Sequence, residues 1–547
     1  MKVTEPDHVM EFENFDPYKG KIESVVIVGG GSSGWMTAAA LSKLCPHLEI
    51  ALVESPDIKT IGVGESTLGH FNQYLQLLEL EDEDWMPACD ATYKNGIQFT
   101  NFREGKEEVF QYPFYTNYDF TFANAGLNTW AHLTQHYPEE FPPESFAEFY
   151  CANTFLCNEN KQTRNRDGVT RDFDFRTHTA YHLDATKFGL YLRDKICLPN
   201  GVQHIKGEIT GYQTMYERPN DQTISYIIMD GVNALQADLY IDCTGFKSML
   251  LGGALKEEFE SLEDLLPNNS AWATRMPYKN KEKELVPYTN CTAIQNGWVW
   301  NIPLWSRVGT GYVYSDKFIS DEDALEQFKD YLGRDNIENL QEFRNIKMRV
   351  GVHKRLWVKN VVAIGLSAGF IEPLESNGLF SVHEFVHILV RNLQREENVS
   401  EFDRANFNFN CKMIFYNFAE FVASHYALSH RADTHYWRQN LNKDWSKEIS
   451  NQLPTLKKGF LDLVNRRSFA YEYDNSGYAC IAAGMHFSPT DIPSILKYNE
   501  EGIEEFKEDW FRITHMLDQK KHLWDREAKK ADKLYKVISQ HYENSNT

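Results

Sequence analysis

The stretch SVVIVGGGSSGWM (24–36) leaves few folds open to this chain. A short β-branched strand, Ser24 to Val28, runs straight into Gly29, Gly31 and Gly34 at the spacing G-x-G-x-x-G. A helical run from Met36 to Leu44 follows, then a second apolar strand from Leu48 to Val53, closed by Glu54. Each glycine has its own task. The first allows a tight turn, the second lets backbone approach a pyrophosphate, and the third lets the helix pack close to the strand. The helix N-terminus, with Ser32 and Ser33 in it, offers backbone donors and the positive end of a dipole to phosphates. An acid about 20 residues past the last glycine takes ribose hydroxyls, and Glu54 stands there. A glycine triplet alone fits a turn in many α/β folds. Strand, triplet, helix, second strand and acid together predict a dinucleotide-binding βαβ unit.

At 547 residues the chain calls for two domains, or one large domain with an elaborated cap. A net charge of −22 argues against a nucleic-acid surface, which needs a basic stripe. Nine cysteines without a C-x-x-C pair read as reduced usage, with no disulfide framework and no metal site. The acidic N-terminus is no signal peptide, and the apolar run near VVAIGLSAGFI is too short for a bilayer, so a cytoplasmic protein is expected. Residues 1–21 read as a loose leader, 158–168 as an exposed loop and YENSNT as a fraying end. Asp184 reads as the N-cap of a helix, and ISYIIM (224–229) and ADLYIDCTG (237–245) as strands. A strand–turn pattern covers roughly 270–370, and from about 383 the texture is helical.

NGWVWNIPLW (296–305) holds three of the 12 tryptophans. Trp298, Trp300 and Ile302 share one strand face, and Pro303 disfavours further pairing. Taken alone, this is a core strand. ADLYIDCTGF, with Gly245, resembles the second nucleotide-contacting strand of glutathione-reductase-like flavoproteins, which favours FAD over NAD. NVVAIGLSAGFIEP (360–373) resembles their flavin-ribityl strand and helix, with Gly365 followed by Leu366 where many relatives carry an acid. A single dinucleotide fingerprint implies that another protein, or transiently docked NAD(P)H, reduces the flavin.

GWVWNIP (297–303) is similar to the W-x-W-x-I-P motif of flavin-dependent halogenases of the tryptophan-halogenase type. IGVGEST (61–67) resembles their second glycine-rich flavin segment, with Gly64, Glu65 and Ser66. WMPACDATYKNGIQF (85–99) resembles the segment of their active-site lysine, which falls on Lys94, and IEPLESNGL (371–379) that of their glutamate, which falls on Glu375. AYHLDATKFGLYL (180–192), GTGYVYSDKF (309–318) and FVASHYALSHRADTHYWR (421–438) add to the likeness, which runs in order from about 24 to about 490. It implies a glutathione-reductase-like FAD-binding fold of mixed α/β class. A flavin-binding box over 1–395 is expected to carry a mainly helical substrate-chamber region over 396–547. It also implies FADH2 from a separate flavin reductase, O2, and a halide (chloride, bromide or iodide) held near Asn377 and Gly378. Hypohalous acid then passes Trp298, Trp300, Ile302 and Pro303 to Lys94, and an electron-rich arene attacks the halogen while Glu375 removes its proton. By spacing alone Lys94 is a solvated lysine and Glu375 a helix-end acid beside Ser376. An aromatic monooxygenase and a non-catalytic module that escorts prenylated GTPases are the competing readings. The arene is open; Tyr471, Tyr473 and Tyr478 could stack on it or simply pack.

Overall fold

The computed structural model describes residues 8–10, 21–56, 64–114, 130, 133–134, 137–163, 172–218, 221–337, 340, 342–395, 398–445, 476–487 and 499–544. Most of the expected leader, residues 164–168 of the polar loop, Tyr471, Tyr473 and residues 545–547 lie outside these.

Two large sheets organise the chain. The first has six strands in the order Gln203–Lys206, Glu49–Glu54, Ser24–Val28, Leu239–Asp242, Val361–Ala363 and Trp357–Val358. The first five run parallel, and the last is antiparallel. Val25, Val26, Ile27 and Val28 are all buried, as a strand covered on both faces requires. The strands read separately from the sequence as 24–28, 48–53 and 237–245 therefore lie side by side. The helix after the glycines, Ser32–Leu44, begins four residues before the expected Met36 because Gly31 is its N-cap. Asp184 caps the helix Ala185–Leu192, accepting from the backbone of Thr186 and Lys187.

The second sheet has seven strands, with Gly297–Pro303 central between Tyr288–Ile294 and Val308–Tyr314. Pro303 is the last paired residue, opposite Val308, so the proline closes this central strand. Trp300 lies opposite Gly311 in the ladder; a Cβ on Gly311 would collide with its indole, so only glycine leaves room for that ring. The expected strand–turn run over 270–370 is interrupted by the helix Asp321–Leu332. Ser320 caps it and three acids occupy its first turn, a local signal that outweighs the surrounding β texture. A small third sheet sets Ala180–Leu183 between Glu65–Ser66 and Thr92–Lys94.

From Gly378 the described residues are mainly helical, with Gly378–Leu393, Glu401–Ala427, His435–Asn442, Ser476–Gly484, Asn499–Lys530 and Leu534–Asn544. The last of these returns to the middle of the fold. Tyr535 and Tyr542 stack on Trp305 at 5.5 and 4.5 Å between ring centres, and Lys281 Nζ lies 3.0 Å from the Trp305 ring centre. His541 Nε2 is 3.0 Å from the Tyr93 hydroxyl, directly behind Lys94. Among the described residues no helix is long and apolar enough to cross a membrane.

Candidate active site

The nucleotide cradle follows from the glycines. A Cβ on Gly34 would collide with the Gly29 carbonyl oxygen, so the helix sits against the turn as closely as backbone allows. A Cβ on Gly31 would meet nothing within 4 Å, which leaves open space where a pyrophosphate needs backbone access. No side chain caps the helix, so the amides at its start are not taken by a cap. Gly365, with φ +73°, abuts Ser33, bringing the fifth strand's end to the same place. Asp242 accepts from the amides of Thr244, Leu250 and Leu251 and so shapes the turn at Gly245. Leu366 is 37% exposed beside Gly365. Glu54 Oε2 lies 2.8 Å from His204 Nε2, a neighbour that the sequence did not reveal. These donors, gaps and glycines fit a dinucleotide.

Lys94 is fully buried. It lies opposite Ala180 in the small sheet, where a small residue leaves it space. Its Nζ donates to the Thr67 carbonyl at 2.9 Å and to Ser376 Oγ at 2.7 Å, and stands 4.8 Å from the Phe114 ring centre. Burial pulls its pKa down to about 7, against the opposing pull of Glu375. A neutral amine has two N–H bonds and one lone pair. Both N–H bonds are spent on acceptors here, so the lone pair is left over. Ser376 has φ +62°, which turns its hydroxyl between Lys94 and Ser66.

Glu375 is also fully buried, with Oε1 2.7 Å from His425 Nε2. The contact is off the line of a straight hydrogen bond. His425 Nδ1 faces the Phe421 and Val422 carbonyls at 3.1 and 3.2 Å, so its hydrogen lies there. Three residues earlier, Glu372 accepts at Oε2 from Trp298 Nε1 (2.6 Å), Tyr426 (2.8 Å) and Asn268 (2.9 Å). Burial raises its pKa, against those three hydrogen bonds.

The predicted residues therefore converge. Trp298 and Trp300 lie 6.1 Å apart, Ile302 is buried, and a Cβ on Gly64 would sit 3.7 Å from Ile302. Trp298 is wholly buried and pinned through its N–H, while Trp300 is half-buried. Asn377 caps the helix that starts at Gly378, with its Oδ1 buried and without a partner. Beside it, Glu65 is raised to about 7 by burial and by the Asp184 charge. Tyr478 lies 4.8 Å from the Phe421 ring, which in turn is 5.5 Å from His425. Sequence reasoning missed His425, Glu372, His182 and Thr289. His425, Glu372 and His182 stood in stretches already matched to the family, and nothing local marked Thr289.

A glycine-cradled parallel sheet joined to a buried amine and a buried carboxylate is the arrangement of a flavoprotein-type oxidoreductase. The family model of tryptophan halogenase matches residues 24–500. The chain therefore belongs to the tryptophan halogenase family and is a flavin-dependent halogenase. It is 32% identical to 7-chloro-L-tryptophan 6-halogenase KtzR of Kutzneria sp. (strain 744) over 503 residues, covering 87% of this chain and 93% of the relative. It is 31% identical to tryptophan 6-halogenase ThaL of Streptomyces albogriseolus, covering 89% and 93%. The apo structure of VirX1 superposes with a TM-score of 0.85 at 46% identity, covering 96% of this chain and 99% of that one.

The two glycines make separable expectations. Gly31→Ala is expected to change stability by about 0.5 kcal/mol or less, since its Cβ enters open space. It is expected to weaken FAD at least tenfold, which is about 1.4 kcal/mol. Gly34→Ala is expected to yield little folded protein. Flavin fluorescence titration and thermal melts read both; equal FAD affinity in wild type and Gly31→Ala would refute the cradle.

Proposed function

We propose that this chain uses FADH2 from a separate flavin reductase, O2 and a halide ion to make hypohalous acid, and passes it to an electron-rich arene of the indole or phenol type. The observation that carries the reading is Lys94, a buried amine with both neutral N–H bonds engaged and a buried glutamate in its chamber. In this reading Gly29, Gly31, Ser32, Ser33, Gly34 and Glu54 hold the ADP half of FAD. Gly64, Glu65, Ser66, Gly245, Gly365 and Leu366 line the flavin and ribityl parts. When bound, FAD supplies the two-electron chemistry with O2 that oxidises the halide. Asn377 and the Gly378 amide take the halide, at a helix N-terminus where an anion is favoured. Glu65, with its pKa near 7, opposes that anion less than a fully ionised carboxylate would.

Trp298, Trp300, Ile302 and Pro303 form the partition that passes the small oxidant and holds back the arene. Lys94 then hydrogen-bonds the oxidant or attacks it. In the second case an N–halogen bond forms, the O–halogen bond breaks, and the hydroxide leaves as water with an amine proton. The ring π electrons next take the halogen, and the N–halogen pair returns to nitrogen. Glu375 removes the proton from the halogenated carbon and returns it to the Lys94 nitrogen, restoring the neutral amine, while the C–H pair restores aromaticity. Tryptophan is the substrate named for the relatives KtzR (as its 7-chloro form) and ThaL, which favours an indole. Residues 1–395 are assigned to the FAD box and 396–547 to the helical chamber region, with His425 reaching Glu375 across that boundary. Nine free cysteines suit a cytoplasmic setting.

A halide-by-arene panel with FAD, NADH and an added flavin reductase, read by mass spectrometry, tests the proposal. Products carrying the added halogen are expected, and Trp300→Ala is expected to keep FAD but to consume more oxidant per product. Oxygen insertion without halide, and no halogenated product with any halide, would overturn it.

A further inference from the structure

Lys94 is one end of a buried hydrogen-bonded chain. Its Nζ donates to Ser376 Oγ at 2.7 Å, and Ser376 donates to Ser66 Oγ at 3.0 Å. Ser66 and Thr289 hydroxyls are 2.7 Å apart, and Thr289 is 2.9 Å from His182 Nε2. His182 Nδ1 is 3.3 Å from Thr92 Oγ1, and Thr92 donates to the Pro303 carbonyl at 2.6 Å. Every side chain in the series is buried.

The far end fixes the direction. A carbonyl only accepts, so the Thr92 hydrogen is committed to Pro303. Thr92 oxygen is then the acceptor for His182, and the His182 hydrogen lies on Nδ1. Nε2 is left as an acceptor, provided the ring is neutral. Burial and the Lys94 charge hold its pKa well below the usual imidazole range, which keeps it neutral. Thr289 must therefore donate to Nε2, Ser66 to Thr289, and Ser376 to Ser66. The small sheet makes this possible because Ser66 and Thr92 both lie opposite His182 in register.

We propose that Thr289 and His182 are positioning residues for Lys94: anchored on the Pro303 carbonyl, they force Ser376 to present oxygen, never hydrogen, to the amine. The lone pair is then not capped by the hydroxyl that touches the amine. The anchor belongs to the tryptophan strand, so the partition and the amine are tied by one directional chain. The inference rests on the role proposed above for Lys94, although its test does not require turnover.

Thr289→Val removes one hydroxyl at nearly constant volume. Ser66 loses its acceptor and Ser376 is free to turn its hydrogen onto Lys94. Carbamoylation of Lys94 by cyanate at pH 9, read by peptide mass spectrometry without halide or reductant, is expected to slow at least fivefold. Halogenation kcat is expected to fall at least tenfold with arene KM unchanged, and Thr289→Ser to restore both. In the wild type, 15N spectra of histidine-labelled protein, assigned with His182→Gln, are expected to show Nδ1 protonated and Nε2 bare from pH 6 to 9. A protonated Nε2, or unchanged Lys94 reactivity in Thr289→Val, would overturn the proposal. If Lys94 reactivity falls in Thr289→Val while Lys94→Met still halogenates, the chain stands and the role given to Lys94 fails.

Discussion

Lys94→Met is expected to abolish halogenation and yet to raise the thermal midpoint. In the fold the amine loses its proton at about pH 7, whereas an unfolded lysine holds its proton to about 10.4. Between those values the unfolded chain binds more protons, so wild-type stability climbs as pH rises through that window. At pH 7 and below the full penalty is present, roughly 5 kcal/mol at about 1.4 kcal/mol for each pH unit. Methionine keeps the bulk and removes that penalty. It loses two hydrogen bonds, worth about 1 kcal/mol each. The net gain is therefore about 2 to 3 kcal/mol, and it should shrink as melts are repeated toward pH 10. In the wild type the same group makes kcat/KM rise through about pH 7 as the amine loses its proton. Halogenated product from Lys94→Met at even a hundredth of the wild-type rate would remove Lys94 from the chemistry.

Glu375→Gln is expected to lower kcat about 10²- to 10³-fold, the range for a general base, with FAD binding unchanged. A second effect separates this from simple damage. The Glu375 charge raises the Lys94 pKa against burial. Without that charge the amine should lose its proton more readily, so the acid limb of the residual activity should move below pH 7. A limb that stays in place would mean that the carboxylate does not reach Lys94 electrostatically. His425 is the partner left behind: its Nε2 faces the new amide, and the amide oxygen can accept a proton held there.

The nucleotide half of the molecule was legible because its signals are local. Strand, glycines and Glu54 lie within about 30 residues, and backbone sterics alone dictate them. Lys94 was not legible from spacing, because its burial is made by Ala180, Phe114 and Ser376, none of them near it in the chain. The tryptophan strand was read correctly as a strand, and its closing proline correctly as an end. What held Trp298 was invisible, since Glu372 reaches it from 74 positions away. The helix Asp321–Leu332 was missed in a β-rich stretch even though its cap and acids were readable. There a local start signal, the Ser320 cap with three acids behind it, outweighs the regional β texture.

The return of the last helix to Tyr93 has a consequence for the time at which this packing can form. Tyr93 and His541 are 448 positions apart, and Trp305 likewise waits for Tyr535 and Tyr542. A ribosome adding roughly 5–20 residues per second needs about 20 to 90 s to span that interval. Through that time the strand that carries Tyr93 and Lys94 lacks its final neighbour. The nascent chain can assemble its parallel sheet once residue 363 is made, but the strand that carries Lys94 gains its last neighbour only after residue 541. The packing around Tyr93 and Trp305 is thereby a late, long-range event.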